Sequence, residues 1–144
     1  MVQEATILQY FIVSMIGVAV GSHLHEGSHW FVGWIGGTDP VLKHDFWIFA
    51  SAVDHGKMET MDPSLIRLSG ASVFVWIPPA ILALFYFFIT PGFGTFLAAT
   101  AMGSVVLMTS ESDVVAVRDP EKFRKMWLND EFARNSVFIP DLLG

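Results

Sequence analysis

The chain has 144 residues, 53% of them hydrophobic and 15% charged, with a mean hydropathy of +0.52, which is too apolar for a soluble domain of this size. Cysteine is absent, which excludes disulfides, a cysteine nucleophile and thiolate metal sites, so any metal must be held by His, Asp or Glu. A net charge of −6 without a long basic run argues against nucleic acid as a partner.

The first apolar segment, about residues 5–35, is long enough to cross ~30 Å of hydrocarbon, which needs roughly 20 residues. No basic stretch or small-residue cleavage site marks it as a removed leader, so it is expected to stay as a helix, ended by Gly36-Gly37-Thr38-Asp39-Pro40. Near its end stands His25-Glu26-Gly27-Ser28-His29. Residues four apart on a helix lie about 40° apart around the axis, so His25 and His29 share a face and suit one Zn²⁺. Glu26 leaves the helix about 100° from His25 and about 60° from His29, beside the metal, as a general base requires. His23 is about 160° from His25, does not share that ion, and reads as a boundary or hydrogen-bonded histidine.

The connection that follows, about residues 39–64, contains His44 to Asp54, too short to span and too apolar to float free. Its alternation of Phe46, Ile48 and Ala50 with Trp47, Phe49 and Ser51 predicts a small hairpin or re-entrant element. An edge strand there suits an extended substrate. His44 and His55 each neighbour an Asp and read as surface loop histidines. A second span is expected at about 68–89, kinked by Pro78-Pro79, and a third at about 93–113, joined by Thr90-Pro91-Gly92 as antiparallel neighbours. The tail, 119–144, opens with a short amphipathic helix carrying Phe123, Met126 and Trp127 on one side, placed to lie on the membrane surface or cover the site.

The expected fold is therefore an all-α membrane protein of three transmembrane helices, a single membrane-embedded domain over 1–144. All eight basic residues lie between spans one and two or after span three. The positive-inside rule then puts the N-terminus outside, the C-terminus in the cytoplasm and the pentad near the cytoplasmic face.

A zinc site on two helical histidines needs a third protein ligand. His25 lies about 21 residues from Glu4, and Asp113 about 21 from Gly92; at ~1.5 Å per residue both sit ~31 Å from the outer face. Asp113 is the preferred third ligand, with Glu111 its rival; carboxylates at that depth are costly unless paired or bound to a cation.

The pentad on a membrane helix resembles the site-2 protease group of intramembrane zinc metalloproteases. Arg67-Leu68-Ser69-Gly70-Ala71-Ser72 is similar to the small-residue segment opening the next core helix there, and Ser110-Glu111-Ser112-Asp113 to a Ser-x-Ser-Asp segment of compact members, in which the Asp completes the zinc site. The Asn-Pro-Asp-Gly element of better-known members is absent. The resemblance covers roughly residues 5–120 and implies a three-helix core that hydrolyses peptide bonds of membrane or membrane-proximal proteins, with the lipid bilayer as its setting. Two other classes stand beside it: a non-catalytic zinc-binding subunit or pseudo-protease, and a haem-binding redox protein, for which spans two and three offer no histidine.

Overall fold

In the computed structural model of the protein, residues 2–45 and 48–129 are described. Helix α1, Val2–Ile35, has 34 residues and so runs ~50 Å, well beyond the hydrocarbon thickness. It stops where the sequence places glycines. Gly37 takes φ 70, its N–H donates to Trp34 O at 3.1 Å, and the Thr38 N–H donates to Gly33 O at 3.0 Å. That is the Schellman closure, in which a left-handed glycine lets the chain turn back and satisfy the last carbonyls.

The chain returns as an antiparallel hairpin of β1, Pro40–Asp45, and β2, Phe49–His55. Of the two forms expected for this segment the structure has the hairpin, so the protein is mostly helical with a small sheet, not purely α. Phe46 and Trp47 lie outside the described residues. The hairpin folds back along α1: the Trp30 indole donates to Pro40 O at 2.9 Å, and the Ala50 N–H to Ser22 Oγ at 3.1 Å. A register shift between Lys43 and His44 leaves Ser51 unpaired and sets Ala50 opposite His44.

A 3-10 turn at Met58–Thr60 leads into α2, Pro63–Ser72, capped by Asp62, which accepts from Ser64 N at 2.7 Å. A second 3-10 turn, Val73–Trp76, joins α2 to α3, Ile77–Ile89. Together they form an apolar run, Pro63–Ile89, that begins earlier than the expected 68. Pro78 and Pro79 do not kink a helix from within. They sit in the first turn of α3, and the turn before them tightens because they cannot donate to the carbonyls four residues back. Only 6% of the most apolar window of this run is buried, so its surface is suited to lipid.

The third span departs most from expectation. Helix α4, Phe93–Leu107, has 15 residues, about 22 Å, too short to cross alone. The chain then breaks and restarts as α5, Glu111–Arg118, bent by 57° from α4. The cause is local: Ser110 adopts an extended backbone and forms a capping box with Asp113, which starts a new helix instead of continuing the old one. By length and composition two helical runs among the described residues are able to cross a membrane, or three where α4 and α5 count as one span.

Helices α1 and α4 run side by side in the same direction. A Cβ on Gly17 would strike Thr100, and one on Gly21 would strike Ser104 and come within 2.5 Å of Ala101 O. Small residues four apart are how membrane helices approach closely without a hydrophobic driving force. Helix α6, Pro120–Leu128, turns Phe123 and Trp127 onto a core of Val32, Met58, Met61, Ile66 and Ala116, so its apolar side covers protein. The remainder of the tail, 130–144, lies outside the described residues.

Candidate metal centre

Two helices supply the candidate ligands, the histidines from within about the last three turns of α1. His25 and His29 come from α1 and Asp113 from α5. The ring nitrogens His25 Nε2 and His29 Nε2 are 3.4 Å apart. Asp113 Oδ1 is 3.1 Å from His29 Nε2, and Oδ2 is 3.7 Å from His25 Nε2. His25 and Asp113 are buried, and His29 is half-buried.

Hydrogen bonds on the far side of each ring decide what the near side offers. His25 Nδ1 lies 2.9 Å from Val105 O on α4, and His29 Nδ1 lies 3.1 Å from Ser69 O on α2. A carbonyl only accepts, so each Nδ1 carries the hydrogen. That leaves each Nε2 lone pair pointing at Asp113, the tautomer and orientation of metal-ligating histidines. Asp113 is held in the same way. Its Oδ2 accepts from Ser110 N at 2.7 Å and Ser110 Oγ at 2.9 Å, which leaves Oδ1 for the site.

Three acceptors converging in a buried place repel one another unless a cation or proton lies between them. Bonds of ~2.0 Å to a tetrahedral ion put ligand atoms about 3.3 Å apart, and the 3.4 Å between the two Nε2 atoms and the 3.1 Å from His29 Nε2 to Asp113 Oδ1 bracket that value. The donor chemistry and spacing therefore fit a metal ion, and His25, His29 and Asp113 form a group that could hold one.

The bend after α4 makes this geometry. Gly17 meets Thr100 and Gly21 meets Ser104 at the same spacing; carried forward in that register, His25 would face Met108 and Asp113 would face Trp30. Path length from the outer face thus does not by itself level Asp113 with His25. The break at 108–110 does, by bending α5 away from the line of α4 and onto α2, from which Asp113 reaches the two histidines. Gly70 admits α5: a Cβ there would lie 2.6 Å from Asp113 O and 2.8 Å from Ala116 Cβ. The neighbouring Ser69 orients His29, so two adjacent residues of the Arg67–Ser72 stretch serve the site.

Glu26 is half-buried on α1, near enough to His29 and Asp113 to interact with their charges. Glu111 is exposed at the first turn of α5 and stays outside the cluster. His23 meets His44 instead, with Nε2 atoms 3.2 Å apart. His55 corrects the expectation of a surface histidine: it is 6% exposed, packs over Gly33, and hydrogen-bonds Thr38 Oγ1 through Nδ1 at 3.0 Å. Burial, with a smaller electrostatic contribution from His29, pushes its pKa down to about 4. Sequence reasoning named Ser69 and Ser110 within their stretches without giving either a role, and passed over the Val105 carbonyl; of the three, Ser110, as the first letter of Ser-x-x-Asp, carries a signal that a capping rule reads.

No protein-family model, curated protein or solved structure matches the chain. Fold and site define its class directly: a mostly helical protein with membrane-length apolar helices and a three-residue group suited to a metal ion.

Proposed function

We propose that the chain is a membrane-embedded zinc metallopeptidase acting on membrane or membrane-proximal proteins. The observation that carries this reading is the pair of histidines whose Nδ1 hydrogens are spent on backbone carbonyls while their Nε2 atoms converge with Asp113. Two imidazoles and one carboxylate are a set catalytic zinc sites use, with the fourth position left open. A bound Zn²⁺ would supply Lewis acidity, lowering the pKa of a water and polarising a peptide carbonyl.

The protein's own groups do the rest. His25, His29 and Asp113 hold the ion; Ser69, Val105 and Ser110 orient them. Glu26, one residue from His25, takes a proton from the attacking water and returns it to the leaving amine. The hairpin beside α1 offers an extended backbone edge along which a substrate strand can add. The basic residues on the hairpin, α2, α5 and α6 lie at the site's end of the molecule, which favours a site at the cytoplasmic face with the N-terminus outside.

The test is zinc content and hydrolysis of a transmembrane reporter by wild type and Glu26→Gln. The variant should keep one zinc per chain and lose at least about 10²-fold in rate. Unchanged hydrolysis removes Glu26 from the mechanism, and zinc without hydrolysis in wild type makes the ion structural.

A further inference from the structure

Outside the cluster just described, two more histidines meet. His23 on α1 and His44 on β1 bring their Nε2 atoms to 3.2 Å, with ring centroids 5.1 Å apart. We infer that His23 and His44 form a second cation site, one that takes an imidazole-preferring divalent ion such as Cu²⁺ or Zn²⁺ and fastens the hairpin to α1.

The first ground is the tautomer. His23 Nδ1 lies 2.8 Å from Ala19 O, one helical turn back, and must donate to it. Its Nε2 is thereby a bare acceptor aimed at His44, the arrangement already seen at His25 and His29. The separation matches the ~3.3 Å edge between two ligands of one tetrahedral ion.

The second ground is that both rings are placed by structure around them. Ser22, next to His23, accepts the Ala50 N–H at 3.1 Å, and Ala50 is the residue opposite His44 in the sheet. It holds that position because Ser51 is left out of the pairing, and bulges of this kind re-aim neighbouring side chains. Helix and hairpin are thus pinned at the residue before His23 and at the cross-strand partner of His44.

The third ground is the surroundings. Both histidines are exposed, so water can complete the coordination. Two imidazoles with water select Cu²⁺, Zn²⁺ or Ni²⁺ over Mg²⁺ and Ca²⁺. His23 points away from the His25 face, so the ion is separate from the one proposed there. This inference does not depend on the peptidase reading.

The competing account is a neutral hydrogen bond from His44 Nε2–H to His23. The whole chain, purified in detergent and stripped of metal, is titrated with Cu²⁺, and bound equivalents are counted alongside the nitrogen hyperfine pattern of the copper spectrum. One equivalent with two-nitrogen ligation should disappear in His44→Ala and again in His23→Gln, while His29→Ala keeps it. Failure of the other centre would lower the wild-type total by one without touching this difference. An isotherm unchanged by His44→Ala and by His23→Gln overturns the inference. Circular dichroism matching wild type shows that a lost equivalent reflects a lost ligand, and a collapsed His44→Ala leaves the decision to His23→Gln.

Discussion

The two ends of the molecule are held together differently. Toward the N-terminus of α1 and along α3, large apolar side chains such as Phe11, Ile81, Phe85 and Phe88 are exposed. Packing there depends on small residues: Gly17 and Gly21 against Thr100, Ala101 and Ser104. At the other end, Met58, Met61, Ile66 and Val32 form a water-style core under α6, and buried polar groups are hydrogen-bonded across α1, α2, α4 and α5. The contrast is the one expected of a chain with one end in lipid and the other near water. In lipid no hydrophobic gain comes from helix contact, so close fit has to suffice. Near water, burial of apolar side chains adds about 1.5–3 kcal/mol each and can support the cost of a buried carboxylate. The candidate metal centre lies between these two regions, with His25 bonded to Val105 O on α4 and His29 to Ser69 O on α2.

The largest effect should come from the metal centre itself. Asp113→Ala removes a ligand and the capping-box partner of Ser110, and should abolish stoichiometric zinc binding; Glu111→Ala should leave it intact. Metal analysis of the two purified variants decides, and the opposite pattern would hand the role to Glu111.

Next, Gly21→Leu attacks the lipid-side fit. There is no room for a side chain against Ser104 and Ala101, so overpacking should cost about 1–3 kcal/mol and lower the unfolding midpoint in detergent. Gly27→Ala on the same helix meets nothing within 4 Å and should raise stability by about 0.5–1 kcal/mol. If both behave alike, close α1–α4 packing is not what holds that end.

The core end should carry a pH signature. His55 has a pKa of about 4 in the folded chain, below the ~6.5 of an unfolded histidine. The unfolded state therefore binds more protons between those values, and stability falls as pH drops from about 6.5 to about 4, by up to ~3 kcal/mol. His55→Asn should flatten that part of the stability profile; an unaltered slope would show that another group titrates there.

The smallest change is expected from Ser69→Ala. It deletes a hydroxyl 3.2 Å from His29 Nδ1 but keeps the backbone carbonyl that fixes the tautomer. Zinc affinity should drop by about tenfold or less, the low end for an outer partner. A loss as large as that of Asp113→Ala would mean that the hydroxyl, not the carbonyl, orients the ring.

Much of the site was legible because its first half is local. An i,i+4 pair on a helix shares a face whatever the rest of the chain does, and Gly36-Gly37 ends a helix through its own backbone freedom. The hairpin followed from alternation and length. Asp113 was reached by matching depths along straight helices, yet it arrives through a bent one. Ser110 and Asp113 bend it by capping a new helix. The partners of the histidines were invisible, since Val105 and Ser69 act through main-chain carbonyls that every residue possesses.

Composition, the apolar runs and the histidine spacing by themselves determined a mostly helical chain suited to a membrane, with two imidazoles on one helix face, because those properties depend only on residue type and helical period. Tertiary structure alone decided that α5 packs onto α2 in the gap left by Gly70, that His55 is buried over Gly33, and that His44 meets His23. Each of these needs two segments distant in sequence to pack, and the steric room that permits it is a property of the assembled fold.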